Sequence, residues 1–148
     1  MLDELDIMIL KTLQQNGRTK RNELAEQIGL SVPSVSERLR KLEENKIIEG
    51  YYTKVNKQAF GLDIQAFILV VMDSSKHYKD LIKQVDKHQS ILECHSVLGE
   101  GSHLMKVVVR NTGALEKLLS EIQTWPGVMG TKTTYVLSTI KETTAINI

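Results

Sequence analysis

The chain has 148 residues, 41% hydrophobic and 25% charged, which fits one ordinary globular domain or two small ones and excludes a disordered chain. Lysine and arginine total 19 against 18 aspartates and glutamates, so a uniformly basic nucleic-acid coat is excluded while a local basic patch is not. The single cysteine, Cys94, leaves no disulfide framework; no apolar run approaches the ~20 residues of a membrane span, and Met1-Leu2-Asp3-Glu4 is acidic where a secretory signal is basic. A cytoplasmic location in a reducing compartment follows as the expectation.

The spacing of Leu2, Leu5, Ile9 and Leu13 predicts a helix over residues 3–15, stopped at Asn16-Gly17. A second helix is predicted over 21–28, with Leu24, Ala25 and Ile28 inward and Gly29 ending it. A third helix starts at Ser31, a good N-cap, with Pro33 in the first turn, where a missing N–H costs nothing. Its buried stripe is Val35, Leu39 and Leu42. Three short helices with a tight turn between the second and third form the helix-turn-helix pattern. Residues 51–55 read as a strand that would act as a wing, and residues 51–63 as strand plus linker.

An ordinary three-helix bundle shares that spacing, so charge placement carries the argument. From Arg18 to Lys41 there are six cations and three anions. At 100° per residue, Pro33, Glu37, Arg40, Lys41 and Glu44 lie opposite the apolar stripe, flanked by Ser34 and Ser36. Small polar groups and an arginine at this place suit a recognition helix. The expected DNA-contacting residues are Lys20, Arg21, Ser34, Ser36, Glu37, Arg38, Arg40 and Lys41. Arg40 is placed at a guanine edge or a phosphate near it, and Ser34, Ser36 and Glu37 close to bases; Lys20, Arg21, Arg38 and Lys41 are placed at phosphates.

Residues 64–148 predict a second domain. The run 64–72 is apolar on both faces of a strand, so both faces need cover. A helix at 78–88, a hairpin of strands 91–98 and 103–110, a helix capped at Thr112, a break at Trp125-Pro126-Gly127 and a strand at 131–140 give the order βαββαβ. That is a ferredoxin-like unit in an α+β protein. Two helices cover one sheet face, which leaves the other for a second copy. Trp125 reads as an anchor for the second of those helices.

Other chemistries find little support. Cys94 and His95 are neighbours on a strand and point apart, and no histidine pair has ligand spacing within a helix, so no metal site is expected. Gly99-Glu100-Gly101 joins a hairpin and does not open a helix, unlike a phosphate loop. No nucleophile–base pair is visible, so neither an enzyme nor a cofactor is expected. An architectural protein that bends or wraps DNA without an effector is the alternative to a regulator.

The residues Leu2-Asp3 with Asp6, Asn16-Gly17-Arg18, Ile28-Gly29-Leu30-Ser31, Glu37-Arg38-Leu39-Arg40-Lys41-Leu42-Glu43 and Ile47-Ile48-Glu49-Gly50-Tyr51 resemble the Lrp/AsnC (feast/famine) family of regulators. In the second half, Glu93-Cys94-His95, Gly99, Leu104-Met105-Lys106 and Pro126-Gly127-Val128 fall in matching places. The resemblance implies a DNA-binding transcription regulator, winged helix-turn-helix over 1–50 and a ligand-sensing RAM-type domain over 64–148. It implies dimers, often octamers, tuned by a small effector such as an amino acid, and a nucleoid-associated place of work on double-stranded DNA. It puts the effector at Gly99, Glu100, Gly101, Ser102 and His103, with Thr131 and Thr133. In the family a serine often caps the second helix; here Lys20 stands in that place, which makes Thr19 the expected cap. The family's effector loop often reads Gly-Asp-aromatic-Asp; here His103 stands where the last aspartate would hold an ammonium. Weak or absent binding of leucine-like amino acids is therefore expected.

Overall fold

The computed structural model describes residues 2–148. They form two compact units, one ending at Lys54 and including Lys141–Ile148, the other Val55–Ile140.

The first unit contains α1 (Glu4–Gln15), α2 (Arg21–Ile28) and α3 (Val32–Glu44). Asp3 caps α1: it accepts from the Asp6 amide at 2.9 Å, and Asp6 accepts from the Asp3 amide at 3.2 Å. This reciprocal box satisfies two amides that the first turn leaves without helical partners. At α2 the expected Thr19 cap does not form, because the Thr19 hydroxyl donates back to the Asn16 carbonyl at 2.7 Å. Glu23 instead accepts from the Lys20 amide at 3.1 Å. Gly29 ends α2 at φ 69°, a left-handed conformation that disfavours side chains. Ser31 caps α3 as expected, accepting from the Ser34 amide at 3.3 Å. Ile9, Leu10, Leu24, Ala25, Val35, Leu39 and Leu42 make the core.

One expectation in this unit fails. Residues 51–55 form no strand, and among the described residues no strand pairs with them. Aromatic and β-branched residues favour a sheet only where a neighbour completes the ladder. Tyr51 instead donates its hydroxyl to Glu43 at 2.9 Å. Residues 141–148 pack with the helical unit. The Gln14 side-chain amide exchanges two hydrogen bonds with the Ile146 backbone, at 3.0 and 2.7 Å, and Ile148 packs on the helical core.

The second unit contains β1 (Ile64–Met72), α4 (Tyr78–Lys87), β2 (Ile91–Ser96), β3 (His103–Val109), α5 (Thr112–Ile122) and β4 (Val128–Tyr135). The sheet order is β2-β3-β1-β4, antiparallel at each pairing, which is the expected ferredoxin-like arrangement. Asn111, not Thr112, caps α5, accepting from the Ala114 amide at 2.8 Å. The last strand ends at Tyr135 rather than at residue 140, and β2 ends at Ser96 rather than at residue 98.

Both helices cover one face of the sheet. Ile64, Ala66, Ile68 and Val70 of β1 join Met105, Val107 and Val109 of β3 in a core with Leu81, Leu118, Ile122 and Trp125. Strand alternation puts Phe67, Leu69 and Val71 on the other face, and the register puts Leu104 beside Leu69. These four are only partly buried.

Candidate nucleic-acid interface and effector loop

The buried stripe of α3 fixes which of its polar residues face outward. Glu37, Arg40, Lys41 and Glu44 are exposed on the opposite side, with Ser34 near the helix start. Ser34 shares a 2.9 Å hydroxyl–hydroxyl hydrogen bond with Ser31, so the cap also orients a polar side chain in the first turn of the helix. Ser36 is half-buried. Lys20 and Arg21 are exposed at the start of α2.

The two arginines of α3 differ sharply. Arg38, expected at a phosphate, is turned onto α1: its Nη1 donates to Asp3 and to Asp6, each at 2.7 Å. The Asp6 side chain is 14% exposed and that of Arg38 27%. Both carboxylates already belong to the α1 capping box, so Arg38 ties the start of one helix to the middle of another. The Asp6 amide and then Arg38 hold the Asp3 carboxyl below the usual aspartate range. In return, Asp6 and then Asp3 make Arg38 a firmer cation. Sequence reading missed these partners; the signal available was Asp3 and Asp6, one turn apart at a helix start, with an arginine next to the Leu39 stripe residue.

Arg40 faces outward and lies between Glu37 and Glu44. Nε and Nη2 donate to Glu37 at 3.0 and 2.7 Å, while Nη1 donates to Glu44 at 2.5 and 2.6 Å. Lys41 lies 3.7 Å from Glu37. The hydrogen bond from Arg40 chiefly holds the Glu37 carboxyl down, and the two glutamates, Glu37 first, hold the Arg40 proton more firmly. Tyr51, beside Glu43, has its hydroxyl pushed up to about 12, mainly by burial.

The expected effector loop is the β2–β3 turn. Gly101 lies against β1: a Cβ there would sit 2.6 Å from Leu69 Cγ and 2.8 Å from the Val70 carbonyl oxygen. The Ser102 amide donates to that same carbonyl at 2.9 Å. Gly99 has φ 136°, which an ordinary side chain resists. The two candidate acceptors for an ammonium are both engaged. Glu100, 77% exposed, pairs with Lys132 at 2.7 Å. His103 is buried on the helix-covered side; its ring meets Tyr78 edge-on at 4.7 Å and its Nδ1 lies 2.8 Å from the Ser102 hydroxyl. Burial lowers its pKa, which favours the neutral ring. Thr131 and His103 flank Val70 from opposite sides, and Thr133 lies one pleat further along β4, exposed.

The remaining sequence candidates separate in space. His77 lies 3.4 Å from Asp80, and His88 lies 3.1 Å from Glu121. Among the described residues no three metal-ligating side chains converge. Cys94 is half-buried, and burial pushes its thiol up, away from the reactive thiolate.

Residues 2–49 match a winged helix-turn-helix DNA-binding model, and residues 65–146 match the Lrp/AsnC ligand binding domain. The chain is 35% identical over 147 residues to the HTH-type transcriptional regulator FL11 of Pyrococcus abyssi, covering 99% of this chain and 97% of that relative. It is 35% identical over 146 residues to the leucine-responsive regulatory protein of Escherichia coli K12, covering 95% and 88%. Among solved structures, the transcriptional regulator NMB0573/L-Met complex from Neisseria meningitidis superposes with a TM-score of 0.94 at 31% identity, covering 99% of this chain and 97% of that one. With both halves matched in order and along nearly their full length, the chain belongs to the Lrp/AsnC family of helix-turn-helix transcriptional regulators.

Proposed function

We propose that α3 enters the major groove and that Arg40 reads a guanine edge. The observation that carries this is the division of labour on α3: Arg38 is tied to α1, while Arg40 stands on the outward face with Ser34 ahead of it. Lys41, Lys20 and Arg21 take phosphates, and Arg38 serves the interface from behind. The protein acts by binding chromosomal DNA and catalyses nothing, and its place of work is the nucleoid. In titrations of purified protein on a duplex selected from a random pool, Arg40→Ala should cost about 1–3 kcal/mol and relax the preference at one base pair. Lys41→Ala should weaken all duplexes alike and flatten the salt dependence by about one phosphate's worth. Unchanged affinity for Arg40→Ala would remove Arg40 from the site.

We further propose that two chains pack their sheets together through the face that carries Phe67, Leu69, Val71 and Leu104. Neither helix covers that face, and apolar strands seldom stay open to water. Two DNA-binding units then read a roughly two-fold site, with half-sites about one helical turn or more apart. Light scattering at micromolar concentration should give at least twice the mass of one chain, and octamers would register as a further multiple. A single-chain mass would contradict the pairing.

For the effector, we propose that the Gly99–His103 loop binds leucine-like amino acids weakly or not at all, and that DNA binding needs no effector. Backbone amides at Gly99 and Gly101 suit a carboxylate, and Ser102, Thr131 and Thr133 offer hydroxyls. An ammonium, however, finds Glu100 paired with Lys132 and His103 under Tyr78. Burying a charged ammonium without an acceptor costs more than the roughly 2–7 kcal/mol of an uncharged polar group. The relative solved with L-Met favours the opposite reading. Calorimetry with leucine and methionine decides between them: no heat at micromolar protein is the expected result. Micromolar binding, lost in Thr133→Ala, would restore the amino-acid sensor.

A further inference from the structure

Arg40 is held from both sides along one helix face. Glu37, one turn earlier, takes the Nε–Nη2 edge of the guanidinium as a two-point fork. Glu44, one turn later, takes Nη1. All three side chains are about half exposed, at 50% for Glu37, 52% for Arg40 and 58% for Glu44. Water competes for each contact, so neither glutamate holds Arg40 strongly. An arginine that reads a base gives up part of this arrangement, and geometry decides which part. A recognition helix meets base edges toward its N-terminal end. Movement of Arg40 in that direction leaves Glu44 and stays with Glu37.

The two carboxylates also differ in what remains after that movement. Glu37 has a second cation, Lys41, at 3.7 Å. It stays compensated beside a phosphate backbone. Glu44 is the last residue of α3 and loses its partner.

We propose that Glu37 is a positioning residue that aims Arg40 at its base, and that Glu44 is a latch that DNA displaces. The proposal rests on Arg40 reading a base, as argued above. It gives two chemically similar changes opposite signatures. Loss of either anion near DNA, treated as charge alone, tightens binding without changing sequence preference. A positioning role for Glu37 predicts something that charge alone does not: loss of selectivity at the base pair that Arg40 reads.

The experiment uses the full chain and a duplex selected from a random pool by the unaltered protein. Affinity is measured for that duplex, for every single-base variant of it and for a random duplex, with the unaltered protein and with Arg40→Ala, Glu37→Gln and Glu44→Gln. Arg40→Ala identifies the base pair. Glu37→Gln is expected to flatten preference at that same pair by roughly two- to fivefold, the size of an exposed ion pair. Glu44→Gln is expected to keep every preference and to bind the selected duplex roughly two- to fivefold more tightly, an advantage that shrinks as salt rises. Full preference in Glu37→Gln would overturn the positioning role. A change at a different base pair would also overturn it, since Glu37 would then read a base itself. Unchanged affinity in Glu44→Gln would overturn the latch. If Arg40→Ala keeps every preference, the Arg40 reading itself falls, a result distinct from the failure of either glutamate.

Discussion

The ion pair between Arg38 and the carboxylates that cap α1 ties the middle of α3 to the start of α1. Asp3 and Asp6 satisfy the first amides of α1, and the same two side chains receive Arg38 at 2.7 Å each. A capping interaction and an interhelical tie thus share their acceptors. The buried stripe Val35, Leu39 and Leu42 sets the inward face of α3, and the tie adds a directional contact beside it, which apolar packing lacks. With Arg38 anchored, Arg40 is the arginine of α3 left on the outward face.

The second unit depends on β1, whose two faces have different fates. Its residues Ile64, Ala66, Ile68 and Val70 meet α4 and α5, while Phe67, Leu69 and Val71 make an apolar patch on the face that neither of these helices covers. The hairpin β2–β3 is pressed onto the same strand at Gly101, where a side chain would overlap Leu69 and the Val70 carbonyl. The proposed effector loop and the proposed pairing face therefore share one strand. The chain crosses between the units twice, after Lys54 and again after Ile140, and the segment that follows β4 ends docked on α1 through Ile146.

What the sequence made legible follows from how local each signal is. α2 and β1 match their expected bounds to the residue, because a glycine with positive φ and a continuous apolar run are local. The outward face of α3 was equally legible from periodicity. Caps were less so: Thr19 and Asn111 each had a suitable oxygen, and the choice depended on where neighbouring carbonyls and amides lay. The wing at 51–55 and the docking of residues 141–148 depend on partners distant in the chain, which no short pattern encodes. Arg38 shows the same limit. Its charge and helix position suited a phosphate, and only the fold brings Asp3 and Asp6, more than thirty residues earlier, to its guanidinium.

The central claim is that Arg38 acts on DNA binding through α1 and not by touching DNA. A double-mutant cycle of Arg38→Gln and Asp6→Asn tests it, read as affinity for one duplex across a salt series. The account predicts that each single variant weakens binding, that the double variant is little worse than either because the two act as one unit, and that the salt slope is unchanged in all three. A phosphate contact by Arg38 would instead flatten the slope by about 0.9 in Arg38→Gln, with Asp6→Asn binding as the unaltered protein does; that result would contradict the account.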